Sequence, residues 1–413
     1  MHAFEAQARD LADLAARGRG RRLIAREGAD FASNDYLGLS DSPQLRDAVA
    51  AALARGVPIG SGGSRLLRGN HPEHEALESE AAVFFGRESA LYFSSGYAAN
   101  AALLATLPQR GDLVLFDELI HASAHEGMRL GRAEARQAAH NDVAAFAEAI
   151  AAWRREGGAG RVWIAVESLY SMDGDVAPLA ELSALAEAEG AILLVDEAHA
   201  TGVYGPQGQG LAHGLPTTNL ITLHTCGKAL GCEGALATGP AIVRDFLVNR
   251  GRAFIFSTAP SPLMAAAVRA ALRIVAEGGD LRSALAERIA AARSALGPLG
   301  VPAGDTQILP LILGDDVRTM AVAGALQESG FDVRGIRPPT VPAGTARLRI
   351  SITNNVSPGQ IAALADRLAR LLATDTPSPF RGFAAPSLSQ WEREGAHRAG
   401  DGKGEGERSP LPL

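Results

Sequence analysis

Short apolar runs alternate with helix-like stretches through the middle of the chain. Residues 113–116, 161–167 and 191–195 are apolar or β-rich, and Ala-rich amphipathic segments separate them. Continuous apolar strands separated by helices are typical of a parallel sheet that is covered on both faces. Ligand sites of such sheets lie beyond the carboxyl ends of the strands. The pattern therefore predicts an α/β fold and makes the polar residues after each strand the first candidates for a site.

The pattern divides the chain into four regions. We predict a helix and arm over residues 1–40, a large domain over 41–275 and a smaller α/β domain over 276–373, with strands at 307–314 and 345–352 and helices at 317–330 and 358–372. Residues 374–413 are rich in Pro, Gly, Ser and charge and have no periodicity, which indicates a disordered tail. We expect removal of this tail to leave activity unchanged.

A lysine among glycines is the first candidate for chemistry. Lys228 follows an apolar run that ends near His224, with Gly227 before it and Gly231 after it. Glycines allow positive φ and a close approach to a flat ligand, and a lysine shielded from water readily loses its proton. This context favours a Schiff-base lysine. The alternative, a loop lysine in solvent, is the common state of lysine.

Two residues after the strand 191–195 strengthen the first interpretation. Asp196 and His199 are expected at the same sheet edge as Lys228. A carboxylate that pairs with a pyridinium nitrogen, together with an imine-forming lysine, is what a pyridoxal phosphate enzyme needs.

Two further segments each have a functional and a structural interpretation. Residues 91–100 predict a strand, a Ser-Ser-Gly turn and a helix, whose first N–H groups could bind a phosphate or simply be capped by Ser94 or Ser95. His121 and His125 could form a metal pair, but no convincing third ligand accompanies them, so a histidine in a cleft or in the core is favoured. The glycine-rich residues 58–65 lack a preceding strand and the spacing of a dinucleotide fingerprint.

Composition narrows the class of protein. With 413 residues, 47% hydrophobic and 21% charged, the chain is predicted to be a soluble globular protein of more than one domain. The net charge of −7 argues against a nucleic-acid partner, and no run reaches the length of a membrane span. Only Cys226 and Cys232 are present, which excludes a disulfide framework and fits a reducing, cytoplasmic location. Residues 1–16 indicate an amphipathic helix rather than a signal peptide.

Five motifs, in order, resemble those of the α-oxoamine synthases. They are Asn-Asp-Tyr-Leu-Gly at 34–38, Gly-Ser-Gly-Gly-Ser-Arg at 60–65, Ser-Met-Asp-Gly-Asp at 171–175, Asp-Glu-Ala-His at 196–199 and Gly-Lys at 227–228. The resemblance extends over about residues 30–372. It implies the fold type I of pyridoxal 5'-phosphate-dependent transferases, with a mostly parallel sheet in the large domain, and a homodimer with sites at its interface.

One stretch distinguishes branches of this family. Residues 336–349 resemble the branch that condenses L-alanine with a pimeloyl thioester in biotin biosynthesis. Relatives that use glycine, such as glycine C-acetyltransferase (2-amino-3-ketobutyrate CoA ligase) and 5-aminolevulinate synthase, share the catalytic motifs and remain the alternative. Whether the acyl carrier is coenzyme A or a carrier protein stays open.

The resemblance implies roles for the residues around the cofactor ring. Lys228 would hold the cofactor and later remove the α-proton of alanine, His121 would stack on the ring, and Asp196 would pair with its nitrogen. His199 and Ser171 would contact the side of the ring hydroxyl. Lys228, His121, Asp196 and His199 are thus the expected catalytic residues.

The resemblance also implies which residues bind the phosphate and the substrates. The N–H groups of Gly96 and Tyr97 and the hydroxyl of Thr225 would hold the phosphate, and Thr258 would reach the phosphate of the neighbouring subunit. The substrate-binding residues would be His121, Asn34, Thr340 and, for the carboxylate of the amino acid, Arg349. The alternatives are turn residues for Asn34 and Thr340, a strand-end hydroxyl for Thr225 and a surface arginine for Arg349.

Two departures from the family pattern are visible. Glu233 stands where the family more often has a small residue. The arm is shorter than usual, so its substrate-binding arginine is not assigned among Arg17, Arg19 and Arg21.

Two other classes of protein remain for comparison. A non-catalytic pyridoxal phosphate sensor would be expected to have lost Lys228, Asp196 or His121, all of which are present. A nicotinamide-dependent oxidoreductase would need a glycine fingerprint directly after a strand, and the sequence has none.

Overall fold

The computed structural model describes residues 3–17, 19–21 and 23–374, and the predicted tail lies outside them except for Thr374. Within these residues the strands are β1 (Ala29–Asp30), β2 (Ser89–Phe93), β3 (Leu113–Asp117), β4 (Glu134–Ala138), β5 (Val162–Glu167), β6 (Ile192–Asp196), β7 (Leu220–Thr225), β8 (Ala235–Gly239), β9 (Ile308–Gly314), β10 (Phe331–Asp332), β11 (Arg334–Ile336) and β12 (Ala346–Ser351).

The helices precede, separate and follow these strands. They are α1 (Glu5–Ala16), α2 (Pro43–Ala54), α3 (Pro72–Phe85), α4 (Gly96–Thr106), α5 (Ala122–Leu130), α6 (Val143–Arg155), α7 (Leu179–Glu189), α8 (Ala241–Arg250), α9 (Arg252–Ile255), α10 (Pro262–Glu277), α11 (Gly279–Leu296), α12 (Asp316–Glu328) and α13 (Pro358–Thr374). A single 3₁₀ turn, Gly297–Leu299, follows α11 in the described residues.

A seven-stranded sheet forms the centre of the large domain, in the order β2-β8-β7-β6-β5-β3-β4. The pairs from β7 through β6, β5 and β3 to β4 are parallel. β8 runs antiparallel to both of its neighbours. The prediction of a mostly parallel sheet is therefore confirmed, and the reversed strand β8 is the feature that the apolar pattern did not reveal.

Both faces of this sheet are buried. Successive side chains of a strand point to opposite faces, so Leu113 and Leu115 pack in one apolar core while Val114 and Phe116 pack in another. Helices α4 and α5 cover one face and α6 and α7 cover the other. This burial on both sides explains why the strands read as continuous apolar runs instead of alternating ones.

Residues at the helix ends explain where α7 ends and where α4 begins. Helix α7 follows Pro178, and Gly190 ends it in the left-handed conformation with φ 58°. Ser95 caps α4 by accepting a hydrogen bond from the backbone of Ala98. The structural interpretation of this serine is thus correct, and it still leaves the first N–H groups of α4 available.

The smaller domain is built on the antiparallel sheet β11-β12-β9, which is covered by α12, and α13 packs against α11 and α12. The arm joins it: β1 pairs with β10, and the N–H of Ser351 donates to the carbonyl of Phe31 over 2.9 Å. One apolar core extends from Phe31 through Leu77 to Leu309 and Leu364. The arm and the two sheets are therefore packed together, which places arm residues next to the edge of the large sheet.

Across the part of the chain that is described, no helix is both long and apolar enough to cross a bilayer.

Candidate active site

Polar residues end four strands that lie side by side in the large sheet. Asp117 ends β3, Glu167 ends β5, Asp196 ends β6 and Thr225 ends β7. Because these strands are parallel, their carboxyl ends meet at one edge. The edge is the one that the sequence predicted for Asp196 and His199.

Lys228 lies in the turn that joins β7 to β8. The turn is closed by hydrogen bonds from the N–H of Cys226 to Gly234 (2.9 Å) and from the N–H of Cys232 to Cys226 (2.8 Å). Gly231 has φ 63°, and a Cβ there would lie 2.5 Å from the backbone nitrogen of Ser40. Positive φ thus occurs at Gly231 but not at Gly227, which corrects the expectation that glycines on both sides of the lysine adopt it.

The surroundings of Lys228 disfavour the charged form of its amine. The side chain is half-buried, and its Nζ lies 3.5 Å from Oγ1 of Thr225. Burial lowers the pKa of Lys228, with Asp196 and Glu167 opposing the shift. A neutral amine is the reactive form for imine formation and for accepting a proton.

Asp196 is held by two donors. Its carboxylate accepts a hydrogen bond from Nδ2 of Asn100 over 2.7 Å and one from the N–H of Ala198 over 2.9 Å. Asn100 lies on α4 and also donates to Ser123 over 3.0 Å. The sequence did not single out Asn100, because an asparagine inside an Ala-rich helix has no local signature of this long-range contact.

His199 is buried and is held by a residue of the arm. The hydroxyl of Tyr36 lies 2.6 Å from Nδ1 of His199 and 3.0 Å from Oδ1 of Asn34. Gln307 donates to the carbonyl of His199 over 2.8 Å. Burial, with the positive charge of Lys228, lowers the pKa of His199 well below its usual value, so its ring is neutral. The structure therefore brings Asn34 and His199 together through Tyr36.

His121 caps the start of α5 and is an exposed residue. Its Nδ1 lies 2.8 Å from Oγ of Ser123. Burial and the charge of Lys228 lower its pKa, while Asp196 opposes the shift. His125 packs edge-on against Phe116 at 5.1 Å. In residues 3–374, without 18 and 22, no group of three or more His, Cys, Asp or Glu is arranged to hold a metal ion.

Arg349 is buried, with 6% of its surface exposed, so its interpretation as a surface arginine is wrong. Its Nε donates to the carbonyl of Ser171 over 2.6 Å, and its Nη1 donates to Oγ of Ser351 over 2.8 Å. Nη2 is buried without a protein partner. A buried guanidinium nitrogen that lacks a partner is unfavourable unless a ligand satisfies it.

The start of α4 abuts the end of β7. A Cβ on Gly96 would lie 2.6 Å from Cγ2 of Thr225, so glycine is required there. The Ser95 cap satisfies Ala98 and leaves the N–H groups of Gly96 and Tyr97 free for an anion. Thr225 donates its hydroxyl to the carbonyl of Ala198 over 3.3 Å.

Two of the predicted residues stand apart from this cluster. Thr340 is exposed and accepts a hydrogen bond from Nη2 of Arg21 over 3.3 Å. Thr258 is exposed and lines a crevice with Ser94 and Phe254. No hydrogen bond of the described residues joins Thr258 or Thr340 to Lys228, Asp196 or His199.

The three arm arginines and Glu233 have different surroundings. Arg19 forms an ion pair with Asp316 at 2.9 Å, whereas Arg21 contacts Thr340. Arg17 ends α1 and is exposed. Glu233 points into solvent, and only its carbonyl is engaged, by the hydroxyl of Tyr92 at 2.7 Å.

Glu167 is a site residue that sequence reasoning missed. It is 2% exposed and lies beside Asp196 in the register of β5 and β6. Its Oε1 has no partner, and burial, with the charge of Asp196, raises its pKa well above the usual value. The signal was present, since a carboxylate ended an apolar strand, but a strand-end glutamate is usually exposed.

Comparison with known proteins assigns this fold to a family. The family model of aminotransferase class I and II matches residues 26–368. The solved structure of serine palmitoyltransferase from S. paucimobilis, with bound PLP and myriocin, has a TM-score of 0.80 and 27% identity, and covers 89% of this chain and 97% of that one. The chain therefore belongs to the aminotransferase class I and II family.

Relatives that are similar in sequence carry the name of one particular enzyme. The 8-amino-7-oxononanoate synthase of Burkholderia thailandensis is 46% identical over 86% of this chain and 95% of its own length. That of Chromobacterium violaceum is 44% identical over 84% of this chain and 90% of its own. The solved structure of the Francisella tularensis 8-amino-7-oxononanoate synthase has a TM-score of 0.69 and 25% identity, and covers 84% of this chain and 98% of that one.

Proposed function

We propose that this chain is an 8-amino-7-oxononanoate synthase. It condenses L-alanine with a pimeloyl thioester and releases carbon dioxide and the free thiol, a step of biotin biosynthesis. The observation that carries the assignment is 46% identity to a synthase of that name over 95% of the relative's length. The structural relative with the higher TM-score, serine palmitoyltransferase, is 27% identical, so the substrate class is proposed from the sequence relatives.

The site fits pyridoxal 5'-phosphate by the chemistry of its donors. Lys228 would hold its aldehyde carbon, and Asp196, fixed by Asn100 and Ala198, would receive its ring nitrogen. His121, an exposed residue, would offer its ring as a stacking surface. When bound, the cofactor supplies an electron sink that stabilises negative charge on the α-carbon of alanine.

The phosphate and the ring hydroxyl have separate partners. The free N–H groups of Gly96 and Tyr97, at the positive end of α4, and the hydroxyl of Thr225 would hold the phosphate. His199 and Ser171 would lie on the side of the ring hydroxyl. The backbone supports this role for the helix, because the close contact of Gly96 with Thr225 leaves no room for a side chain.

Lys228 and Arg349 would act on alanine. The unpartnered Nη2 of Arg349 would bind the carboxylate of the amino acid, and this fixes which bond of alanine is oriented for cleavage. Nζ of Lys228, whose pKa is lowered by burial, would accept the α-proton. Both groups are held on the protein side by Ser171, Ser351 and Thr225.

Arm residues would line the cavity for the acyl donor. Arg21, rather than Arg17 or Arg19, is the arm arginine proposed to reach substrate, because it contacts Thr340. Arg337 fixes this part of the arm by donating to the carbonyl of Gly20 over 2.6 Å. Asn34, which accepts a hydrogen bond from Tyr36, would also line this cavity.

The working form would be a homodimer. Ile59 and Phe256 are both 73% exposed, and their segments are joined by a hydrogen bond from Ser261 to the carbonyl of Ile59 over 2.5 Å. Exposed apolar side chains on adjoining segments are typical of an interface. Thr258 lies two residues after Phe256, and its lack of a contact with its own Lys228 supports the proposal that it serves the neighbouring site.

Free Cys226 and Cys232 support a cytoplasmic location.

The test is a competition between donors. Purified protein is supplied with alanine, glycine or serine and with pimeloyl, acetyl or palmitoyl thioesters of coenzyme A, and the released thiol is followed. Burial of acyl methylenes stabilises binding by about 0.8 kcal/mol each, so pimeloyl should exceed acetyl by orders of magnitude. Alanine should exceed glycine by a smaller factor, since one methyl is worth about 1–3 kcal/mol.

Other outcomes would reassign the chain. Faster turnover of glycine with acetyl-CoA would place the chain with the glycine C-acetyltransferases. Faster turnover of serine with palmitoyl-CoA would place it with serine palmitoyltransferase. A visible absorbance band without any thiol release would indicate a non-catalytic sensor. Repeating the assay with pimeloyl-acyl carrier protein decides which carrier is preferred.

A further inference from the structure

A histidine outside the site joins two carboxylates that belong to different loops. Nδ1 of His140 lies 2.8 Å from Oδ1 of Asp117, and its Nε2 lies 2.6 Å from Oδ2 of Asp175. Burial disfavours the charged ring, but the hydrogen bonds to Asp117 and Asp175 raise the pKa of His140 to about 10. At neutral pH the ring is therefore an imidazolium that donates from both nitrogens.

Asn141, the residue after His140, bonds to the same two carboxylates. Asn141, in the left-handed region with φ 55°, donates its N–H to Oδ2 of Asp117 over 2.8 Å and its Nδ2 to Oδ2 of Asp175 over 2.7 Å. The ring of Tyr170 packs edge-on against His140 at 4.5 Å. Two consecutive residues thus bind the same two carboxylates, which makes the connection rigid.

The two carboxylates connect to different segments of the site. Asp117 ends β3 and precedes the segment that carries His121. Asp175 ends the loop 171–175, which belongs to a motif that the function above uses only through Ser171.

The other side of this loop is held by the smaller domain. Arg349 donates to the carbonyl of Ser171, Arg347 pairs with Asp173, and Thr306 donates to the carbonyl of Gly174 over 2.5 Å. A Cβ on Gly174, which has φ 71°, would lie 2.2 Å from the carbonyl oxygen of Ile308. The loop 171–175 is therefore clamped between His140 and strands β9 and β12.

We propose that His140 is a positioning residue, which with Asn141 anchors the loop 171–175 to Asp117 so that the carbonyl of Ser171 orients Arg349 toward the carboxylate of the amino acid. His140 is not among the residues assigned to substrate or cofactor. It acts through Asp175, the loop and Ser171, and the orientation leaves Nη2 of Arg349 as the free donor. The inference rests on the proposed use of an amino acid at Arg349.

The experiment measures binding apart from turnover. The dissociation constant of L-alanine is obtained by titrating the holoenzyme and following the visible absorbance of its cofactor, for wild type, His140→Asn, Asp175→Asn and the double variant. Each single change should weaken alanine binding about tenfold, the scale of one lost charge-assisted hydrogen bond. The double variant should bind no worse than the weaker single variant, because both changes cut the same connection. The KM of the acyl donor should stay within about threefold, since Arg349 contacts the amino acid.

Asp142→Asn is the matched control. Asp142 follows Asn141, is exposed and caps α6, and asparagine caps equally well. Its alanine affinity should equal that of wild type. Asp175→Asn changes a half-exposed loop residue, so it answers the question even where His140→Asn does not fold.

Three outcomes would overturn the inference. Unchanged alanine affinity in folded His140→Asn and Asp175→Asn, with only a lower melting temperature, would make the connection purely structural. Additive losses in the double variant would show two separate effects. A wild-type holoenzyme that binds no alanine would overturn the proposed function as well, and this separates the two failures.

Discussion

The phenolic oxygen of Tyr36 lies 2.6 Å from Nδ1 of His199. Tyr36 has one hydroxyl hydrogen, and Asn34 accepts it over 3.0 Å. Nδ1 of the neutral His199 must then carry the hydrogen of the ring and donate it to Tyr36, which leaves Nε2 as an acceptor. This assignment follows from the hydrogen-bond network. A residue of the arm therefore sets the tautomer of a histidine at the edge of the large sheet.

Tyr36→Phe should weaken cofactor binding without unfolding the protein. It removes the hydrogen bonds of the hydroxyl to Asn34 and His199. The bond to His199 is worth about 0.5–1.5 kcal/mol, so the dissociation constant of pyridoxal phosphate should rise by roughly 2- to 10-fold. The pH at which the visible band of the cofactor changes should shift too, because Nδ1 of His199 loses its partner. Tyr92→Phe, which removes the 2.7 Å bond to Glu233, should leave both measurements unchanged. An unaltered band in Tyr36→Phe would contradict the tautomer assignment.

Lys228→Ala should abolish alanine-dependent turnover, because it removes both the anchor of the cofactor and the base. The base alone is worth about 10²–10⁴-fold. The chain has two lysines, Lys228 and Lys403, so borohydride reduction of the holoenzyme should attach one cofactor to wild type and to Lys403→Arg, and none to Lys228→Ala. Intact mass and far-UV circular dichroism measure labelling and fold. Retained turnover in Lys228→Ala would refute the assignment.

Arg349→Lys should raise the KM of alanine by roughly 10- to 100-fold, the cost of about 1.5–3 kcal/mol for a bond to a charged group. An ammonium cannot contact Ser171, Ser351 and a carboxylate in one plane as the guanidinium does. Steady-state kinetics with alanine and pimeloyl thioester varied in turn measure the effect. The exposed Arg155 on α6 provides the control change Arg155→Lys. An unchanged alanine KM would remove Arg349 from the substrate site.

The stability that His140 contributes should depend on pH. Its folded pKa of about 10 lies above the unfolded value of about 6.5, so its contribution is fully present below about pH 6.5 and is lost as pH rises through about 10. Asp117, Asp175, Asn141 and Tyr170 face the ring, and burial raises the pKa of Tyr170 out of this range.

Urea unfolding at pH 6, 8 and 10 measures this contribution. The difference in unfolding free energy between wild type and His140→Asn should be largest at pH 6 and smallest at pH 10. A difference that grows with pH would mean that the ring is neutral in the folded protein.

The proposed homodimer makes a prediction about Phe256. Sedimentation at working concentration should give a dimer for wild type, and Phe256→Ser should shift it toward monomer with a loss of activity on dilution, because an apolar side chain leaves the interface. Val317→Ser is the control, since Val317 is 67% exposed on α12 of the smaller domain. A fully active wild-type monomer would contradict the proposal.

The sequence by itself was sufficient for several of the elements and for the polar residues that follow them. Apolar runs predicted β3, β5 and β6, Gly190 ended α7, and Asp196 and His199 fell at the sheet edge as expected. These features depend on local patterns, such as strand burial and helix capping, that a short stretch of chain expresses on its own. The glycine context of Lys228 also favoured a Schiff-base lysine, and the resemblance to a family then added the proposed role of Arg349, which no local pattern contains.

Only the tertiary structure decided which residues support the site. Tyr36 and His199, Asn100 and Asp196, and His140 and Asp175 are each far apart in the chain and meet within hydrogen-bond distance. The reversal of β8 and the burial of Glu167 likewise depend on neighbours in space. Loop closure over long separations leaves no periodic trace in a sequence, since the energy that holds such pairs comes from packing of the whole fold. The reactive groups were therefore readable from the chain, while the contacts that orient them required its folded form.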